Sequence, residues 1–266
     1  MKKLFALLLA LALAAVCPAC FGESEPPAEG APAEASVPEG IAAGEWRLLP
    51  AEDGTAEILR YGGTAAEVTV PTELNGMRIT AVGDSAFSGC EFLTGITIPE
   101  GIVRIGPYAF ANCTALTGVT VPAGVPEIAD GTFSGCCSLR TAGLPDSVSR
   151  IGNWAFFGCL ALEEIRLPAG VTEIGYYAFS HCPLPVSVTI PDGTVRIGLW
   201  AFSYCRALKE AVLPESLTDI GFEAFDNCAD ELVLRVAEGS FAEQYCRYCR
   251  LAYEIIPSAS ESASGE

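Results

Sequence analysis

Large apolar residues return along this chain at a fixed interval. Phe87, Phe110, Phe133, Phe156, Phe179, Phe202 and Phe225 stand 23 residues apart, and each is followed three positions on by a Cys: Cys90, Cys113, Cys136, Cys159, Cys182, Cys205 and Cys228. Between them Ile165-Arg166-Leu167 alternates apolar, polar, apolar, which predicts a short strand with one buried face. Ile96-Thr97-Ile98, Val119-Thr120-Val121, Val188-Thr189-Ile190 and Ala211-Val212-Leu213 repeat the alternation in the other units. A unit this short cannot bury its apolar face alone, so it stacks on its neighbours as a solenoid. The expected fold is an α/β repeat solenoid, a right-handed stack of seven 23-residue coils over residues 82–236 with a short parallel sheet.

Punctuation inside the unit follows the same period. Pro99, Pro122, Pro145, Pro168, Pro191 and Pro214 end the strands, since Pro cannot donate to a ladder. Gly83, Gly106, Gly152, Gly175, Gly198 and Gly221 are expected to turn the chain, with Ala129 as the exception. Asn153–Gly158 predicts one helical turn, with Asn153, Asp84 and Asp130 suited to its N-cap. The residue before each ladder Cys is Gly89, Asn112, Gly135, Gly158, His181, Tyr204 or Asn227, a bias expected of a left-handed helix-ending position.

The segments outside the period read differently. Residues 1–20 form an export signal: Lys2 and Lys3 precede the apolar run Leu4–Val16, which is shorter than the roughly 20 residues that span a bilayer. Ala19-Cys20 resembles the end of a bacterial lipobox, which makes Cys20 the candidate lipid anchor, against ordinary cleavage and release. Residues 21–45 are rich in Pro, Ala, Glu and Gly and predict a disordered tether, and residues 258–266 a disordered tail. Residues 46–81 predict a β-rich N-terminal cap, with a turn at Asn75-Gly76, and residues 237–257 a short helical C-terminal cap.

The recurring Ile-Gly-x-x-Ala-Phe-x-x-Cys-x-x-Leu-x-x-Ile-x-Ile-Pro pattern resembles the BspA-type leucine-rich repeat of bacterial surface proteins. Gly63–Thr80 resembles that family's opening segment and Gly239–Cys246 its closing helix. The resemblance implies a curved solenoid displayed on a cell surface, with adhesion and host-protein binding among its members' roles. Pro183-Leu184-Pro185 in the fifth coil departs from the pattern, as does the second thiol of Cys136-Cys137 in the third.

Composition narrows the function. Fifteen basic against 33 acidic residues give a net charge of −18, which argues against nucleic acid or an anionic membrane surface as partner. The ladder cysteines are expected as small core residues rather than disulfides. Cys137, Cys246 and Cys249 remain open to pairing. Cys246-Arg247-Tyr248-Cys249 lacks the second half of a zinc site. No metal or cofactor is expected. His181 is the single His and sits in a turn column, and the Gly residues of the repeats fall on the period, so neither a catalytic triad nor a phosphate loop is supported. Non-enzymatic function is the expectation.

One column departs from ordinary core composition. Two positions before the ladder Phe stand Tyr108, Trp154, Tyr177 and Trp200. They are the candidate ligand-binding residues, expected to face partly outward towards a protein or glycan; the competing reading is plain stacking along the flank. Two functions stay open: a surface-anchored binding module, and a spacer or self-associating envelope component without external ligand.

Overall fold

A computed structural model describes residues 40–257. Cys20, the export segment, most of the expected tether and the tail lie outside the described residues. Each coil contributes one strand to a parallel face. Glu67–Thr69, Gly95–Thr97, Gly118–Thr120, Thr141–Gly143 and Glu164–Ile165 stack in one sheet; Ser187–Thr189, Glu210–Val212, Val233–Ala237 and Tyr253–Ile256 stack in a second. The stack therefore continues past the seven repeats, by Glu67–Thr69 at one end and Tyr253–Ile256 at the other. The strands end one residue earlier than the alternation suggests, and the following residue, as at Val121 or Ile190, turns into the core. The break between Glu164–Ile165 and Ser187–Thr189 coincides with Pro183-Leu184-Pro185. Two prolines remove two donors there, and Leu184 is buried in their midst.

A second face had no counterpart in the expected strands. Two-residue strands at Glu127–Ile128, Arg150–Ile151, Glu173–Ile174, Arg196–Ile197 and Asp219–Ile220 pair in parallel, each Ile inward and each charged residue outward. Arg104–Ile105 pairs instead with Met77–Val82 of the N-terminal cap. The discontinuity falls where Pro126 has no N–H to offer the neighbouring coil, and a groove lined by Val103, Arg104, Pro126 and Arg150 opens at that point.

The third side corrects the expected helical turn. It is a run of turns with two left-handed residues in each coil: Tyr108, Trp154, Tyr177 and Trp200 have φ of 54–56°, and Asn112, His181, Tyr204 and Asn227 have φ of 55–62°. The second set is where the Gly and Asn bias placed a left-handed residue. The first set is unexpected, because a bulky side chain at positive φ is disfavoured by about 1–2 kcal/mol. Its compensation is lateral hydrogen bonding. Tyr108, Phe110 and Asn112 donate their N–H groups to the carbonyls of Asp130, Thr132 and Ser134 on the next coil, at 2.7–2.9 Å. The expected N-cap side chains also serve the next coil: Asp130 Oδ1 accepts from the Asn153 N–H, and Asn153 Oδ1 from the Tyr176 N–H, both at 2.9 Å.

Inside the three faces, the ladder Phe rings stack 5.1–5.6 Å apart, each contributing about 1.5–3 kcal/mol by burial. The thiols add a specific link. From Cys113 to Cys228 each Sγ donates to the carbonyl of the ladder Phe 26 residues earlier, at 3.0–3.2 Å. The glycine column serves close approach rather than turning: a Cβ on Gly198 or Gly221 would lie 2.2–2.6 Å from backbone atoms of the preceding coil.

Both ends are covered. Ile41–Ala43, Trp46–Pro50 and Thr55–Tyr61 form an antiparallel ribbon, and Tyr61 stacks on Phe87 at 5.3 Å. Residues 41–43 are thus part of the cap rather than of the tether. At the far end, helix Phe241–Cys249 is capped by Ser240 Oγ, which accepts from the Glu243 N–H. It buries Ala242, Tyr245 and Cys246 against the last coil.

Candidate functional site

The flank that carries the expected ligand-binding residues begins at the left-handed turn. Tyr177 and Trp200 are buried, and Tyr108 and Trp154 are half-buried. Trp154 stacks on Tyr177 at 6.3 Å, Tyr177 on Trp200 at 4.9 Å, and Phe157 meets Tyr177 edge-on at 6.1 Å. They form a small apolar cluster separate from the main core. This corrects the expected outward orientation: positive φ lays the rings along the flank, over the neighbouring coil, instead of lifting them into solvent. Gly131 shows the same geometry, since a Cβ there would lie 2.3 Å from the Tyr108 ring. Trp200 Nε1 donates to Glu223 Oε2 at 2.7 Å, and burial pushes the Tyr177 phenol up to about 12. Trp154, Tyr177 and Trp200 thus form a supporting layer, and the Tyr108 ring lies apart from them over Gly131.

Sequence reasoning missed the column one residue earlier. It runs Asp84, Pro107, Asp130, Asn153, Tyr176, Leu199 and Phe222. Its C-terminal half is apolar over three consecutive coils: Tyr176 is 40% exposed, Phe222 52%, and Leu199 half-buried against the aromatic cluster beneath. Arg196 lies over the Tyr176 ring at 5.3 Å and donates to its hydroxyl at 2.6 Å. The same reach recurs in the N-terminal half, where Arg150 donates to Asp130 at 2.9 Å and Arg104 pairs with Asp84. The period was the available signal: once the Phe column is inward, the chain's change of direction between the two columns decides which one meets solvent.

Beside this column runs the charged edge of the short strands: Arg104, Glu127, Arg150, Glu173, Arg196 and Asp219, alternating in sign at every coil. Arg150 lies 3.1 Å from Glu127 and 3.9 Å from Glu173, and Arg196 lies 3.5 Å from Glu173 and 3.2 Å from Asp219. In a parallel in-register stack a column of one sign would repel itself at every rung, so alternation is the arrangement that lets the stack close.

The long-strand face is plainer. Thr97, Thr120 and Gly143 leave a shallow trough with Gly118 and Thr141, and the Thr94 and Thr117 hydroxyls are bonded to carbonyls of the adjacent coil. His181 stacks on Tyr204 at 4.4 Å, and its Nδ1 lies 2.9 Å from Ser180 Oγ. Burial, with Arg206 second, holds its pKa below the usual value. Cys246, Cys249 and the ladder cysteines are free thiols; burial pushes Cys136 and Cys246 up to about 12, which makes them poor nucleophiles at neutral pH. Among the described residues no cluster of three or more His, Cys, Asp or Glu side chains could hold a metal, and no helix is long and apolar enough to cross a membrane.

Comparison with known proteins bears on the fold and the repeat. Among solved structures, a leucine-rich repeat protein from Bacteroides ovatus is 24% identical, with 80% of this chain and 66% of that one covered and a TM-score of 0.51. The leucine rich repeat protein of T. pallidum is 23% identical, covering 82% of this chain and 100% of that one at a TM-score of 0.46. A leucine rich cell surface protein from Faecalibacterium prausnitzii is 22% identical, covering 85% and 97% at a TM-score of 0.30. No curated protein matches the chain. The model of the BspA type leucine rich repeat region matches residues 80–186, 126–233 and 185–249, with six copies. The chain belongs to the BspA-type leucine-rich repeat family.

Proposed function

We propose that this protein is a bacterial surface recognition module that binds an extracellular protein through the exposed column of Tyr176, Leu199 and Phe222. Proteins of this family are typically found on bacterial surfaces, and the fold is typically that of a non-enzymatic binding module. The observation that carries the reading is the column itself: three large side chains stand in register on successive coils, Leu199 packed on the cluster of Trp154, Tyr177 and Trp200, and Tyr176 held by Arg196. A rigid, pre-positioned apolar strip loses little side-chain entropy on binding, and central aromatic residues carry most of the energy at protein interfaces. The ring edges and Arg196 supply the polar margin. A protein surface fits this strip better than a glycan, because Leu199 and Phe222 at its centre and end offer no hydrogen bonds to sugar hydroxyls.

The test is a binding screen of the chain against a panel of extracellular matrix and host cell-surface proteins, repeated with Tyr176→Ser/Phe222→Ser. Affinity for the protein captured by the parent chain is expected to fall at least about thirtyfold, the equivalent of about 2 kcal/mol. A folded variant that binds as tightly as the parent removes the column from the interface. Attachment through a lipid on Cys20 belongs to the same proposal. Mass spectrometry of the mature N-terminus is expected to find a diacylglycerol-modified Cys20; an unmodified, freely secreted product overturns it.

A further inference from the structure

The charged column has a property beyond its role within one chain. Arg104, Glu127, Arg150, Glu173, Arg196 and Asp219 alternate in sign and number six, so the column turned end over end is its own complement. We infer that this face pairs with the same face of a second copy of the chain, antiparallel, about a two-fold axis between Arg150 and Glu173. Arg150 then meets Glu173 of the other copy, Glu127 meets Arg196, and Arg104 meets Asp219. Each contact occurs twice, as an isologous interface requires. The parallel in-register arrangement sets like charge against like, and so does a slip of the antiparallel pair by one coil. A parallel pair slipped by one coil also opposes unlike charges, but it is head-to-tail and does not close, so charge and two-fold closure together select direction and register.

The groups are available for this. Arg104, Arg150 and Arg196 keep 47, 33 and 40% of their side-chain surface exposed, and Glu127, Glu173 and Asp219 keep 47, 37 and 59%. Next to the column Val195 of one copy faces Pro126 of the other; both are exposed, which adds an apolar margin. At a strand spacing of about 4.8 Å, six coils make a strip about 24 Å long. A strip of that length and one strand's width buries less than a lasting interface does, so the dimer is a weak one. The proposal does not depend on the binding role of Tyr176, Leu199 and Phe222, and it is read without any external partner.

Sedimentation velocity of the full chain over a concentration series tests it at about 0.15 M salt, where repulsion between two chains of net charge −18 is screened beyond about 8 Å while contact pairs are not. The parent chain is expected to form a reversible dimer over the series. Arg150→Glu alone and Glu173→Arg alone are each expected to raise the dimer dissociation constant by about tenfold or more. Mixed one to one they are expected to associate again, because the two acidic central positions of one variant face the two basic ones of the other. Intrachain damage cannot be repaired by mixing, so recovery reports the intermolecular register. Arg196→Glu with Glu127→Arg makes a second complementary pair should the first fold poorly. A parent chain that stays monomeric across the concentration series, single variants that dimerise as the parent does, or mixtures no more associated than their components overturn the inference.

Discussion

At the scale of single residues, position in the coil decides what a side chain does more than its type. Trp200 and Phe222 are both large and apolar, yet one is buried and the other about half exposed, because they occupy adjacent columns of the same turn. His181 gives a direct reading of this turn. It takes a left-handed position that Asn112 and Asn227 fill in other coils, and burial lowers its pKa. With the folded value below the unfolded one, near 6.5, the neutral ring is favoured in the fold. The contribution to stability is complete above the unfolded pKa and is lost as pH falls through the folded one. NMR titration of this single His is expected to give a pKa below the usual range in the folded chain. His181→Asn is expected to keep the fold and to flatten the matching part of the stability profile. A normal pKa contradicts the burial described for the ring.

At the scale of elements, two kinds of feature were legible in the sequence to different degrees. The Phe and Cys columns declared themselves, because inward positions on a solenoid accept few residue types and so recur visibly. The strands and their Pro stops followed from the same period. The short-strand face did not declare itself: a two-residue strand has no alternation to detect, and its charged positions change sign from coil to coil, which hides the repeat from a reading based on identity. The turn was misread for a related reason. Gly and Asn advertise positive φ, as at Gly89 or Asn112, but Tyr108, Trp154, Tyr177 and Trp200 adopt it against their own preference, held by hydrogen bonds from the next coil. Tertiary contact overrode local propensity there, and the candidate site moved by one residue as a result. The break in the long-strand face has a measurable consequence. Hydrogen exchange is expected to be faster for the amides of Ser187–Thr189 than for those of Gly118–Thr120, since the first strand lacks a partner on its N-terminal side. Equal protection of the two contradicts a discontinuity at Pro183-Leu184-Pro185.

At the scale of the molecule, the three sides of the coil divide the work. Phe rings and thiols link coil to coil inside, the alternating charges let the short-strand edge stack without self-repulsion, and the left-handed turn turns one aromatic column into a floor for another. What differs from coil to coil is the outward surface: in the column beside the aromatic cluster the C-terminal half holds Tyr176, Leu199 and Phe222, while the N-terminal half carries Asp84, Asp130 and Asn153. Specificity on a repeat scaffold resides in such outward variation.

Titration calorimetry of the partner captured by the parent chain, compared across two surfaces, tests that claim most directly. One variant carries Tyr176→Ser/Phe222→Ser; the other fills the trough of the long-strand face with Thr97→Arg/Thr120→Arg. The expected result is a loss of at least about thirtyfold for the first, with the second binding as the parent does. Undiminished binding by the first variant with loss in the second contradicts the assignment and moves the recognition surface to the long-strand face.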